Sequence, residues 1–154
     1  WLTSWRPPNA TPAMLETHLQ AALGQLRERV PGGAVLLVDD MTHYVLAHYL
    51  GRGQGLPQTT GGGAYSEFSM GPYRVVWPRT VAFAPGNFAD EVSAWSRAAG
   101  GSFGDSVWVM TTGWGPARGF GAFVAGLPEG DVRERWYFGP ITLLQVALPP
   151  SRSD

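Results

Sequence analysis

The stretch AVLLVDDMTHYVLAHYL, Ala34 to Leu50, decides how this chain is read. Its first five residues, Ala34 to Val38, are apolar, and Pro31-Gly32-Gly33 stands before them. A short Val- and Leu-rich run bounded in this way reads as a strand buried on both faces. Asp39-Asp40 closes the run, and the period then changes. Tyr44, Val45, Ala47, His48 and Tyr49 follow at helical spacing, with Gly51 as the stop. Strand, acids and helix in direct succession make the first half of a β–α–β unit.

Working outward, Thr11-Pro12 offers a hydroxyl cap and a proline at the first helical position. Leu15, Leu19, Ala22, Leu23, Leu26 and Val30 then recur at three and four residues. They define an amphipathic helix from about Pro12 to Val30 that covers one face of the sheet. Beyond the central stretch, Gly51 to Gly71 is rich in Gly, Gln, Thr and Ser and reads as a long loop, with a short strand near Tyr65 to Phe68. Tyr73 to Trp77 and Thr80 to Ala84 are strand candidates on either side of Pro78.

A helix capped at Asn87 or Asp90 runs to about Ala98, with Phe88, Val92, Trp95 and Ala99 on one face. Ser106 to Thr111 is another buried strand, and a glycine-weakened helix is expected over Pro116 to Ala125. Val132 to Phe138 and Ile141 to Leu148 flank Gly139-Pro140 as a C-terminal antiparallel hairpin at the sheet edge. The alternation of helices and apolar strands predicts an α/β fold: a three-layer sandwich with a mostly parallel central sheet. The chain divides into residues 1–10, a cut edge or membrane-proximal linker with Trp1 and Trp5 ahead of Arg6, and one domain over 11–150.

Composition narrows the function. A net charge of −1 argues against a nucleic-acid partner, which needs a basic excess on one face. All 11 basic residues are Arg, a mark of GC-rich coding rather than of function. With no Cys, thiolate chemistry and cysteine metal sites are excluded. His43 and His48 are five residues apart and so lie on different helix faces, which disfavours a zinc site. The Gly51, Gly53 and Gly55 series follows a helix, and Pro57 prevents another from starting, so it is not a dinucleotide fingerprint. No nucleophile elbow, Ser-x-x-Lys or phosphate loop is present. No catalytic residue, metal or cofactor is therefore assigned.

Ligands of open α/β sheets sit beyond the carboxyl ends of the strands. Two such ends are legible here, Asp39-Asp40 with Thr42, His43 and Tyr44, and Thr111-Thr112-Gly113-Trp114. If they share one edge, Asp39, Asp40, His43, Tyr44, Thr112 and Trp114 line one crevice. An acid and an imidazole would there supply proton transfer, and Trp114 a stacking surface. The competing reading, which we favour, is that Asp39 or Asp40 caps the following helix by accepting from amides near His43. Of the seven Trp, Trp77, Trp95 and Trp108 read as core, leaving Trp114 and Trp136 as ligand candidates.

The helix followed by PGGAVLLVDDMTHYVLAHYLG resembles a recurrent pattern in soluble C-terminal regions of multi-spanning bacterial glycosyltransferases. The superfamily is that of the dolichyl-phosphate-mannose–protein mannosyltransferases and aminoarabinose transferases. There a hydrophobic strand ends in Asp and leads to a helix carrying an element like His48-Tyr49-Leu50, and VWVMTTGWG, Val107 to Gly115, is similar to a later strand and turn. The likeness covers about Thr11 to Gly55 and Ser106 to Phe120, less than half of the chain. It implies an accessory domain on the extracytoplasmic side of the bacterial cytoplasmic membrane, without catalytic residues of its own. Its partner would be the membrane-embedded portion of the same polypeptide, with a glycan or lipid-linked sugar as ligand. The glycine-rich insert has no counterpart in that pattern. The alternative reading is an independent sugar- or nucleotide-binding domain, or small enzyme, that uses the crevice.

Overall fold

A computed structural model describes residues 12–39, 42–50, 65–78, 88–98, 103–112 and 127–148. Their elements are α1 (Pro12–Arg29), β1 (Val35–Val38), α2 (Thr42–Leu50), β2 (Tyr65–Met70), β3 (Tyr73–Pro78), α3 (Phe88–Ala98), β4 (Ser106–Thr111), β5 (Val132–Phe138) and β6 (Ile141–Ala147). The six strands form one sheet in the order β2-β3-β1-β4-β6-β5. The expected strand at Thr80 to Ala84 and helix at Pro116 to Ala125 lie outside the described residues.

β1 is buried along its whole length, as its unbroken apolar sequence requires. Leu36 and Val38 join one apolar cluster and Val35 and Leu37 another. Successive strand residues point to opposite faces, so the two clusters are the two sides of the sheet. Leu19, Leu23 and Leu26 of α1 and Val45 and Leu46 of α2 pack into the first. Val92 and Trp95 of α3, with Phe103, pack into the second. Helices thus cover both faces. The chain moves from β1 to β3 in one direction across the sheet and from β3 to β4 in the other. Right-handed crossovers made in opposite directions must lie on opposite faces, which is where α2 and α3 are found.

The expectation of a mostly parallel sheet is corrected. Only β1–β3 and β1–β4 are parallel, while β2–β3, β4–β6 and β5–β6 are antiparallel. The reason is connection length. Gly71-Pro72 joins β2 to β3 and Gly139-Pro140 joins β5 to β6, and two residues can only reverse a strand. Both turns place glycine at positive φ, +54° and +59°, ahead of a proline whose φ is fixed negative. That sign pattern belongs to a II′ hairpin turn. The C-terminal hairpin lies at the sheet edge, with β5 outermost, and β2 is the opposite edge. A parallel trio, β3-β1-β4, remains at the centre.

Side chains fasten both edges. Arg74 on β3 donates to both oxygens of Glu67 on β2, Nε to Oε1 at 2.6 Å and a terminal nitrogen to Oε2 at 3.1 Å. The same guanidinium lies 5.4 Å from the Phe103 ring centroid. The hydrogen bond to Glu67 raises the Arg74 pKa further, against partial burial. At the other edge Trp136 stacks on Trp108 at 5.7 Å, with Arg29 of α1 over its ring at 6.0 Å. Trp136, a ligand candidate from sequence, is therefore packing surface for α1.

The β5–β6 turn also meets α1 through His18. A Cβ built on Gly139 would fall 2.7 Å from His18 Nε2. Gly139→Ala therefore combines a clash with a left-handed backbone, and we expect a loss of roughly 2 kcal/mol or more in urea unfolding. His18→Ala in the same chain removes the clash and leaves only the backbone strain, about 1 kcal/mol. Equal losses with and without His18 would show that the close approach contributes nothing.

Candidate functional site

β1, β3 and β4 run parallel, so their carboxyl ends lie on one edge. Asp39 follows β1, Trp77 is near the end of β3, Thr111 ends β4 and Thr112 follows it. α2 begins at this edge with Thr42, His43 and Tyr44. Here the two expected strand ends do come together.

Asp39 is 2% exposed, and both carboxylate oxygens accept hydrogen bonds. The Thr42 amide donates to Oδ1 at 2.6 Å, and the Thr111 hydroxyl donates to Oδ2 at 3.2 Å. The His43 amide reaches the Asp39 carbonyl at 3.3 Å, so the helical turn starts at Asp39 itself. A strand-end Asp with an amide donor three residues on caps the helix, and the positive end of the helix dipole favours its charge. Thr42 carries the connection to β4. Its hydroxyl oxygen accepts from the Thr112 amide at 3.2 Å and lies 3.1 Å from the Thr112 hydroxyl oxygen. Either hydroxyl can donate in that contact, since each has one O–H and two lone pairs. Thr42 and Thr112 are both fully buried, and Thr111 nearly so. The four polar side chains tie β1, α2 and β4 into one knot.

Beside the knot lies an aromatic stack. The His43 ring is parallel to Trp77, with centroids 4.2 Å apart and 6° between the planes. On its other side Tyr44 approaches to 3.9 Å at 37°. Phe68 of β2 meets Trp77 edge-on at 5.3 Å. His43 is 7% exposed and Trp77 9%, whereas Tyr44 is 40% exposed.

Of the residues singled out from sequence, Asp39 and Thr112 join the knot, and His43 and Tyr44 join the stack. Asp40 and Trp114 lie outside the described residues. His43, read as a possible acid or base, is a buried ring in contact with Trp77 and Tyr44. His48, read as partly packed, is exposed. Sequence reasoning places Thr42 and Thr111 at the two strand ends without giving them a role, and it does not bring Trp77 to the site. The threonines carried a signal, since a hydroxyl just inside the carboxyl end of a buried strand needs a polar partner at that edge. Trp77 read correctly as core, but nothing local tied it to His43.

Among the described residues no group of three or more His, Cys, Asp or Glu is placed to hold a metal ion. In comparisons with known proteins, no family model, no curated protein and no solved structure matches the chain.

Removing the Asp39 carboxylate strands two buried donors. Each hydrogen bond to a charged group contributes about 1.5–3 kcal/mol, so Asp39→Ala is expected to cost roughly 3 kcal/mol or more in urea unfolding. Thr111→Val should cost about 1–2 kcal/mol alone and less in the Asp39→Ala background, with a coupling of at least about 0.5 kcal/mol. Strict additivity would contradict the knot.

Proposed function

We propose that the chain is an accessory α/β domain of an integral-membrane glycosyltransferase-like protein, non-catalytic by itself. On this reading it lies on the extracytoplasmic face of the bacterial cytoplasmic membrane. It partners the membrane-embedded portion of the same polypeptide and aids recognition of a glycan or lipid-linked sugar. The three-layer arrangement expected from the sequence belongs to the same reading, with the sheet between α1 and α2 on one side and α3 on the other.

The observation that carries the non-catalytic part is the bonding of Asp39. A general acid or base must come within about 2.6–3.2 Å of the proton it moves, directly or through one water. Asp39 is buried, and its two oxygens accept from Thr42 and Thr111, in keeping with the favoured capping role. His43 has its ring faces against Trp77 and Tyr44. The membrane part rests on the sequence resemblance. Among the described residues no helix is long and apolar enough to cross a membrane, so on this reading the spans belong to other parts of the polypeptide.

One observation favours the second reading, an independent sugar- or nucleotide-binding domain. The knot sits where the chain departs from β1 and β4 in opposite directions, the switch point at which open α/β sheets bind ligands. The two readings part on the gene. Its coding sequence upstream of Trp1, scanned in a 19-residue hydropathy window, should show several spans of about 20 apolar residues, and the isolated domain should transfer no sugar. A reading frame without any such span, or turnover by the isolated domain, would refute the accessory-domain proposal.

A further inference from the structure

Tyr44 is one of two large apolar side chains well exposed among the described residues, and its surroundings are unusual for a solvated tyrosine. It is the outermost ring of a graded stack: Trp77 and His43 are buried, and Tyr44 stands open. The His43 ring is nearly parallel to Trp77 and stacked on it, and Phe68 braces Trp77 edge-on. The inner rings hold the outer one in place before any ligand arrives. A preorganised aromatic surface spends little conformational entropy on binding, and tyrosine adds a polar tip at the rim.

Position and charge say what such a surface takes. Tyr44 is in the first turn of α2, at the carboxyl edge of β1 and at the switch point. Asp39, five residues earlier, places a buried carboxylate at this edge, and its negative charge disfavours a phosphorylated ligand. A neutral ring with an apolar C–H face and hydroxyls at its rim fits better.

We propose that Tyr44, backed by His43 and Trp77, is a stacking platform for a neutral pyranoside. The inference deepens the proposed function by giving the domain a sugar-ring subsite, and it rests on that reading only for the biological source of the sugar. Binding involves no bond making, since Asp39 and the threonines are held in the knot. Tyr137, the other exposed large side chain, is on β5, the outermost strand, so it serves as a control.

The test is an NMR titration of the domain with the methyl α-pyranosides of glucose, mannose and galactose, and separately with AMP. We expect at least one pyranoside to give saturable shifts of the Tyr44 and Trp77 ring resonances, with its own C–H protons moved upfield by the ring current. Tyr44→Ala should weaken binding at least about tenfold in a domain that still unfolds cooperatively. Tyr44→Trp and Tyr137→Ala should retain it. Failure of all three pyranosides to saturate, equal affinity in Tyr44→Ala, or response to AMP alone would each overturn the platform. None of these results bears on the apolar spans upstream of Trp1, which decide the accessory-domain reading separately.

Discussion

A carboxylate cannot be left bare inside a protein, and that constraint organises the carboxyl edge of this sheet. Burying an unpaired charge costs many times the stability of a domain, whereas burying one with good donors is tolerable. Asp39 is supplied from two directions, by an amide of the helix that follows it and by a hydroxyl on a strand 72 residues away in sequence. Meeting the local demand thus fixes a long-range contact. The Thr42–Thr112 pair repeats the connection with neutral groups. Because β1 and β4 are parallel neighbours with Val38 opposite Met110, Thr111 and the following Thr112 come to the same edge as Asp39.

Much of this architecture is legible from local pattern. The α1 stripe, the buried β1, the change of period after Asp39, β4 and the C-terminal hairpin all follow from spacing and turn residues. Leu19, Ala22, Leu23, Leu26 and Val30 are buried as their recurrence requires. Strand direction was less accessible. Alternating helices and strands suggest a parallel sheet, but Gly71-Pro72 reverses the chain inside what reads as the end of a loop. The same dipeptide at Gly139-Pro140 was recognised because both flanking strands were plain. The β2 sequence, Tyr-Ser-Glu-Phe-Ser-Met, is half polar as an edge strand should be, and so blends into the Gly- and Ser-rich stretch before it.

The candidate site was legible in part for the same reason. Asp39, Thr112, His43 and Tyr44 stand next to strand ends that can be read from the sequence, so their shared edge is deducible. What each does is set by partners far away in sequence. Thr111 donates to Asp39, and Trp77, 34 residues beyond His43, stacks on its ring. The edge used for ligands in this class of sheet is therefore divided between a closed polar knot and an aromatic face that opens at Tyr44.

Native-state hydrogen exchange tests the central claim, that the knot is part of the core rather than an open reactive crevice. The two reporters are the Thr42 amide, bonded to Asp39, and the Thr112 amide, bonded to Thr42. If the knot holds β1, α2 and β4 together, both amides exchange only by global unfolding, with opening free energies equal to those of the β1 and β4 core amides. Exchange of both through a local opening several kcal/mol below the global value, while β1 and β4 stay protected, would contradict the account and return Asp39 to the list of reactive groups.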